Sequence, residues 1–244
     1  MLERGIATDV LVCFDFDGTL APHVAQLSAA RVRPDTLALL ARLAARCRVA
    51  VLSGRSRADL AGRLGGLPLM ELVGEHGIEQ YEVGRASREL VAWWAPTLTA
   101  SIGRLSGVEV EERRCSVAIR YGRAHHRGAV VRAIRAALVE LGPNVRCIAG
   151  RHRLDVIPSR APHRGRIVDR LREESRAAAV IYVGDDTIDE DAFALSRADP
   201  ETFWGIRVGH RARSYATHFV PSQGAIDALL GRLLAATGVP GAAH

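Results

Sequence analysis

The stretch Val12-Cys13-Phe14-Asp15-Phe16-Asp17-Gly18-Thr19-Leu20 (VCFDFDGTL) sets two carboxylates, one residue apart, at the end of an apolar run. Residues 9–16 read as a buried strand, because a short continuous apolar segment ending in an Asp-Gly turn signal has no solvent-facing alternation. Downstream, residues 34–47 carry helical apolar spacing behind Pro34, a favoured first-turn residue. Residues 48–54 (RVAVLSG) repeat the strand pattern, and residues 56–64 form a helix that Ser56 can cap. PLMELVG (68–74) and GIEQYEV (77–83) follow as further strands. Strand, helix and strand at this spacing imply parallel pairing through right-handed crossovers.

The middle of the chain has a different rhythm. A helix from about Ser87 to Arg104 carries Trp93 and Trp94, and two alternating segments, GVEVEER (107–113) and CSVAIRYG (115–122), pair as a hairpin. A helix over 125–141 ends at Gly142-Pro143, and VRCIAG (145–150) and HRLDVIP (152–158) complete an αββαββ series. The α/β pattern then resumes with a helix from about Arg164 to Glu174. After it come the buried strand AAVIYVGDD (178–186), a helical IDEDAFALS (188–196), the strand TFWGIRVG (202–209) and a closing helix over 225–236. The expected fold class is α/β, a Rossmann-like parallel-sheet core with an inserted α+β domain. Its expected boundaries are 1–82 and 161–244 for the core and 83–160 for the insertion.

Composition limits the function. The 244 residues carry a net charge of +6, and all 33 basic residues are arginine. That charge is spread along the chain and aromatics make up only 5%, so the basic stripe with stacking rings that nucleic acid requires is missing. A small anionic substrate suits the positive balance. No apolar run approaches the ~20 residues needed to cross a bilayer. The polar opening MLERGIATD and four scattered cysteines point to a cytoplasmic protein with reduced thiols and no membrane partner. Trp93 and Trp94 read as packing residues, and His125-His126 as a solvated helix start.

Ligands of open α/β sheets bind beyond the carboxyl ends of the strands. Three expected parallel strands end in polar clusters there: Asp15-Phe16-Asp17, Ser53-Gly54-Arg55 and Gly184-Asp185-Asp186. Either acidic cluster alone is what an ordinary turn shows, but two on strand ends of one sheet point to a site. Oxygen ligands from Asp15 and Asp185 suit Mg²⁺, which also relieves repulsion between carboxylates.

The order of these motifs resembles the haloacid dehalogenase (HAD) superfamily of phosphohydrolases. DFDGTL matches its nucleophile motif, Ser53-Gly54-Arg55 its second, Arg164-Gly165 the place of its lysine motif, and Gly184-Asp185 with Asp189 its acidic motif. The insertion resembles the superfamily's C2B cap. GEHGIE, with Glu75 and His76, and GDDTIDEDAF resemble trehalose-6-phosphate phosphatases in particular. The resemblance implies Asp15 as nucleophile, Asp17 as general acid and base, and Ser53 and Arg164 as phosphoryl-holding groups. It implies a Mg²⁺ cofactor on Asp15, the Asp17 backbone carbonyl and Asp185, with Asp189 in or around that shell. Arg164 stands where the family has Lys, and a planar guanidinium is not an ammonium.

Substrate-binding candidates are Gly18, Thr19, Gly54, Arg55, Glu75, His76 and Asp186 in the motifs and Glu111, Arg113, Arg120 and Asp155 in the insertion. The family's cap pattern, similar to E-x-K-x-x-S-x-x-x-H-Y-R, here has Arg113 for Lys, Arg120 for His and Gly122 for Arg. Its later G-x-x-x-x-E-x-R-P reads Gly150, Asp155, Ile157, Pro158. The implied substrate is trehalose-6-phosphate or a related phosphorylated disaccharide or pseudodisaccharide. A sugar phosphomutase of the same fold and a non-catalytic sugar-phosphate sensor are the alternatives.

Overall fold

The computed structural model describes residues 9–24, 29–80, 84–150 and 152–237. In chain order the elements begin with β1 (Val10–Asp15), α1 (Pro34–Ala44), β2 (Arg48–Leu52), α2 (Arg57–Leu64) and β3 (Glu71–Val73). The central series is α3 (Gly84–Ile102), β4 (Glu109–Glu112), β5 (Val117–Arg120), α4 (Arg127–Glu140), β6 (Val145–Gly150) and β7 (Arg153–Pro158). The chain continues through α5 (Arg164–Ser175), β8 (Ala179–Gly184), α6 (Glu190–Phe193), α7 (Leu195–Ala198), β9 (Phe203–Val208), β10 (His218–Val220) and α8 (Ile226–Thr237).

Two compact units result. The described residues within Met1–Ser53, Arg57–Val73 and His163–His244 form the first, and Gly54–Ser56 with Gly74–Pro162 form the second. In the first, six strands make a parallel sheet in the order β10-β9-β8-β1-β2-β3. Val10, Val12 and Phe14 of β1 pack with Leu40 and Leu43 of α1, Leu60 of α2 and Leu230 and Leu233 of α8. Leu11 and Cys13 are as deeply buried on the opposite face, as a strand covered on both sides requires. Asp15 pairs in register with Leu52, and Phe14 with Val183, so β1, β2 and β8 end side by side. That shared edge sets the site.

The second unit holds an antiparallel sheet in the order β4-β5-β7-β6. Period-2 alternation decides its two faces. Val110, Val117, Ile119, Leu154 and Val156 pack with Trp94, Leu98 and Ile134 of the helices. Their strand neighbours Glu109, Glu111, Arg120, Arg153 and Asp155 stand on the other face, where register aligns Glu109 with Arg120 and Arg120 with Arg153. Trp94 is buried, whereas Trp93 is half exposed. His125 and His126 are exposed at the start of α4, and all four cysteines are free thiols. No helix among the described residues is long and apolar enough to cross a membrane.

Two sequence expectations need correction, and one strand has no expectation attached to it. Residues 77–80 of GIEQYEV are not a strand: Glu75–Gly77 form a 3-10 turn that runs into a further turn, and 81–83 lie outside the described residues. The left-handed φ angles of Glu75 (42°) and His76 (57°) break an extended path. They are held because the buried Glu75 carboxylate accepts the Cys115 N–H at 2.6 Å and the Arg114 N–H at 3.2 Å. Those bonds tie residues 74–80 to the second unit, whose longer segment runs from Gly74 to Pro162. IDEDAFALS is likewise no single helix, because a reciprocal capping box between Asp186 and Asp189 opens a 3-10 turn ahead of α6 and α7. Finally, β10 is a three-residue strand with no apolar alternation to announce it.

Replacing Glu75 by Ala leaves two backbone N–H groups without their acceptor, which costs about 2–4 kcal/mol. Urea unfolding of Glu75→Ala should show that loss, with Glu75→Gln retaining part of the stability through its one amide oxygen.

Candidate active site

Asp15 ends β1 on the same face as Cys13, and the register of β1 with β8 sets Tyr182 beside Cys13 on that face. Arg164 opens α5 there, almost wholly buried. Its Nη1 donates to Asp15 Oδ1 at 2.5 Å, to Asp189 Oδ1 at 2.7 Å and to the Tyr182 hydroxyl at 3.1 Å. Tyr182 in turn donates to Asp189 Oδ1 at 2.6 Å. The other Asp189 oxygen accepts the backbone N–H groups of Asp185 and Asp186, both at 2.9 Å. Every oxygen of Asp189 is therefore committed to organising the exit of β8.

Asp15, Asp185 and Asp189 offer carboxylate oxygens that all lie within 4.8 Å of one another. Burial raises the pKa of Asp15 well above its ordinary value, and the Asp189 carboxylate adds to that against the opposing pull of Arg164. Burial also raises that of Asp185, offset by the hydrogen bond from His23. Hard oxygen donors crowded at this density fit a divalent cation, whose charge removes the penalty on ionising them together. Within the cluster Asp15 and Asp185 have coordinating capacity to spare, while Asp189 does not. The Asp17 carboxylate is outside the cluster. Asp17 lies two residues past β1 in a tight turn closed by Gly18 N–H to Ala21 O at 2.7 Å and Ala21 N–H to Phe16 O at 2.9 Å.

The turn depends on Gly18. Its φ is +98°, and a Cβ there would meet Asp185 Oδ2 at 2.3 Å and His23 Nε2 at 2.4 Å. Thr19 is buried and donates to Asp185 Oδ1 at 3.3 Å. Ser53, one residue beyond β2 and buried, anchors its N–H on Val73 O at 2.9 Å. Asp186 accepts the Thr187 N–H at 2.7 Å as a helix cap, so its carboxylate has a structural task.

The remaining candidates belong to the second unit. Gly54 O accepts from Arg113 Nη1 at 2.7 Å, and a Cβ on Gly54 would stand 2.6 Å from the His76 ring. Arg55 is buried and its carbonyl accepts the Glu75 N–H at 2.7 Å. Glu75 holds the β4–β5 connection by its carboxylate, as described above. His76 Nε2 donates to Asp155 Oδ2 at 2.9 Å, and Arg153 reaches the same oxygen at 2.8 Å. Arg113 lies 3.8 Å from Asp155 Oδ1 and donates to Glu111, which also pairs with Arg120. Glu111, Arg113, Arg120 and Asp155 are thus one charge network. Although burial opposes ionisation of Asp155, Arg153 and His76 hold its carboxyl well below the usual carboxylate range.

Four participants escaped the sequence reading. Tyr182 and Arg153 follow from strand parity once register is known. His23 donates to Asp185 Oδ2 at 2.7 Å from a loop position with no signal of its own. Arg207 is nearly buried on β9 and grips the carbonyls of Asp185 and Asp186. An arginine inside the apolar run TFWGIRVG is a signal that could have found it.

The trehalose-phosphatase family model matches residues 13–222. The chain belongs to the trehalose-phosphatase family. It is 37% identical over 215 residues to the trehalose-phosphate phosphatase of Mycobacterium avium (strain 104), covering 82% of this chain and 54% of that protein. The Mycobacterium tuberculosis (strain ATCC 25618 / H37Rv) protein of the same name is 37% identical over 204 residues, covering 77% and 51%. The chain therefore spans about half the length of these mycobacterial relatives. Among solved structures, Aspergillus fumigatus trehalose-6-phosphate phosphatase superposes with a TM-score of 0.62 at 26% identity, covering 96% of this chain and 94% of that one. A haloacid dehalogenase-like hydrolase from Bacteroides thetaiotaomicron shares the fold with a TM-score of 0.63 at 14% identity, covering 92% and 99%.

Two outcomes test this geometry. Gly18→Ala should displace Asp185 and His23 and weaken any divalent-cation binding at this cluster about 10-fold or more, read by titration calorimetry with Mg²⁺ as the probe. Asp155→Asn should destabilise the protein at neutral pH. A carboxyl whose pKa is depressed on folding stabilises above its unfolded value, so the charge-dependent part of that loss should shrink as pH falls below about 4. Denaturant unfolding of both proteins across pH checks the sign.

Proposed function

We propose that the chain is a Mg²⁺-dependent phosphatase acting on trehalose-6-phosphate or a related phosphorylated disaccharide or pseudodisaccharide, through an aspartyl-phosphate on Asp15. The observation that carries this reading is the buried Asp15 carboxylate. Arg164 holds its Oδ1 at 2.5 Å, while Oδ2 accepts no hydrogen bond among the described residues. A nucleophilic carboxylate needs this asymmetry, one oxygen fixed and the other available. Family membership over residues 13–222 and the likeness to named trehalose-phosphate phosphatases support the choice of reaction and substrate.

Asp15 Oδ2 bonds to phosphorus as the bond from phosphorus to the sugar oxygen breaks in line. Asp17 gives its proton to that departing oxygen and then takes one from the water that attacks the aspartyl-phosphate. The bond between Asp15 and phosphorus breaks in the second step, releasing phosphate and restoring the Asp15 carboxylate and the protonated Asp17. Ser53 and Arg164 hold the phosphoryl oxygens, where preorganised donors do most of the work. Asp15, Asp185 and the Asp17 carbonyl would hold Mg²⁺, which when bound neutralises carboxylate and phosphoryl charge. Asp189 acts on that group by positioning the β8 exit. The polar face of the second unit's sheet, with Glu111, Arg113, Arg120 and Asp155, is the surface assigned to reading the sugar.

Asp15→Asn should lower kcat for phosphate release more than about 10³-fold with an unchanged circular dichroism spectrum. Turnover at the wild-type rate would overturn the nucleophile assignment. A phosphate-release screen over trehalose-6-phosphate, sucrose-6-phosphate, glucose-6-phosphate and pseudodisaccharide phosphates should favour a two-ring substrate, and preference for glucose-6-phosphate would overturn that part.

A further inference from the structure

We infer that Tyr182 is a positioning residue for the phosphoryl-transfer step, its phenol setting where the Arg164 guanidinium stands between Asp15 and Asp189. The inference rests on the proposed phosphatase reading. Tyr182 is wholly buried, its ring packs edge-on against Phe193, and its hydroxyl is the third acceptor around Arg164 Nη1. That nitrogen carries two hydrogens, both in the guanidinium plane, yet faces three oxygens: Asp15 Oδ1, Asp189 Oδ1 and Tyr182 Oη.

The phenol settles the competition. By donating its own proton to Asp189 Oδ1 at 2.6 Å, Tyr182 gives that oxygen a second donor. By accepting from Nη1 at 3.1 Å it also supplies a counterweight on the β8 side. Without the hydroxyl, Asp189 Oδ1 would retain only Arg164 as a donor, and the guanidinium would be drawn toward Asp189. Asp15 Oδ1, which faces the same nitrogen at 2.5 Å, would then lose the contact that aims its free oxygen. A lysine in this place would have three tetrahedrally disposed hydrogens for the three acceptors and would not need the phenol to arbitrate. The dependence on Tyr182 is thus a property of arginine at position 164. Tyr182 touches no reacting atom, so it acts only through Arg164 and Asp189.

The test is a double-mutant cycle on the full chain with Mg²⁺ present, using para-nitrophenyl phosphate alongside trehalose-6-phosphate. Tyr182→Phe should lower kcat about 10-fold on both substrates, with KM within about 2-fold of wild type and the fold intact by circular dichroism. In an Arg164→Lys background the same change should cost less than about 2-fold. An unchanged kcat, an equal loss in both backgrounds, a loss confined to KM, or failure of Tyr182→Phe to fold would each overturn the inference. Wild-type turnover of para-nitrophenyl phosphate without trehalose-6-phosphate would sink only the substrate assignment and leave this cycle readable. A wild type inert toward both would sink the phosphatase reading and this inference together.

Discussion

One guanidinium nitrogen, Nη1 of Arg164, ties the ends of β1 and β8 together through Asp15, Asp189 and Tyr182. Two buried carboxylates at the edge of an apolar sheet are unfavourable unless a cation accompanies them, and removing one partner of such a cluster costs about 3–5 kcal/mol. The arginine is therefore as much a condition for this strand edge as a functional group on it. It leaves charge to be balanced at Asp185, which His23 and Thr19 meet by hydrogen bonds and which suits a divalent ion.

Around that cluster the structure spends backbone groups to hold side chains still. Asp189 binds two consecutive N–H groups, and Arg207 binds the carbonyls of Asp185 and Asp186. The loop that presents Asp185 is thereby fixed from both its donor and its acceptor side, which limits the motion available to its carboxylate. In the second unit Glu75 does similar work for the residues between β4 and β5. His76 and Arg153 do it for Asp155. Several residues that first read as substrate contacts are thus occupied by the fold.

Much of this was legible beforehand. Apolar runs ending in Asp15, Ser53 and Gly184 marked three parallel strands and the edge where they finish, because a buried strand and a polar exit are both short-range patterns. The αββαββ series was legible for the same reason, since alternation at Val117 and Ile119 specifies one face for the helices. What failed depended on distant partners. GIEQYEV has strand composition, and only the capture of Glu75 by Arg114 and Cys115, some forty residues away, turns it into a 3-10 turn. The single helix expected over 188–196 yields to the capping box at Asp186 for a related reason.

By itself the sequence determined the α/β core with its inserted antiparallel sheet, the polar strand edge and the motif set that places the chain in its family. These follow from periodicity and from residue types that the chemistry demands. Tertiary structure alone decided which carboxylates are free and which are committed. Asp15 and Asp189 look alike in the chain, but burial beside Arg164 with one oxygen unbonded makes the first available, and four hydrogen bonds make the second a brace. Register and three-dimensional proximity assign those bonds, and neither is encoded in local pattern. The partnership of Tyr182 with Arg164 has the same origin: strand pairing puts residue 182 on the face of Asp15, and the start of α5 brings the guanidinium to meet it.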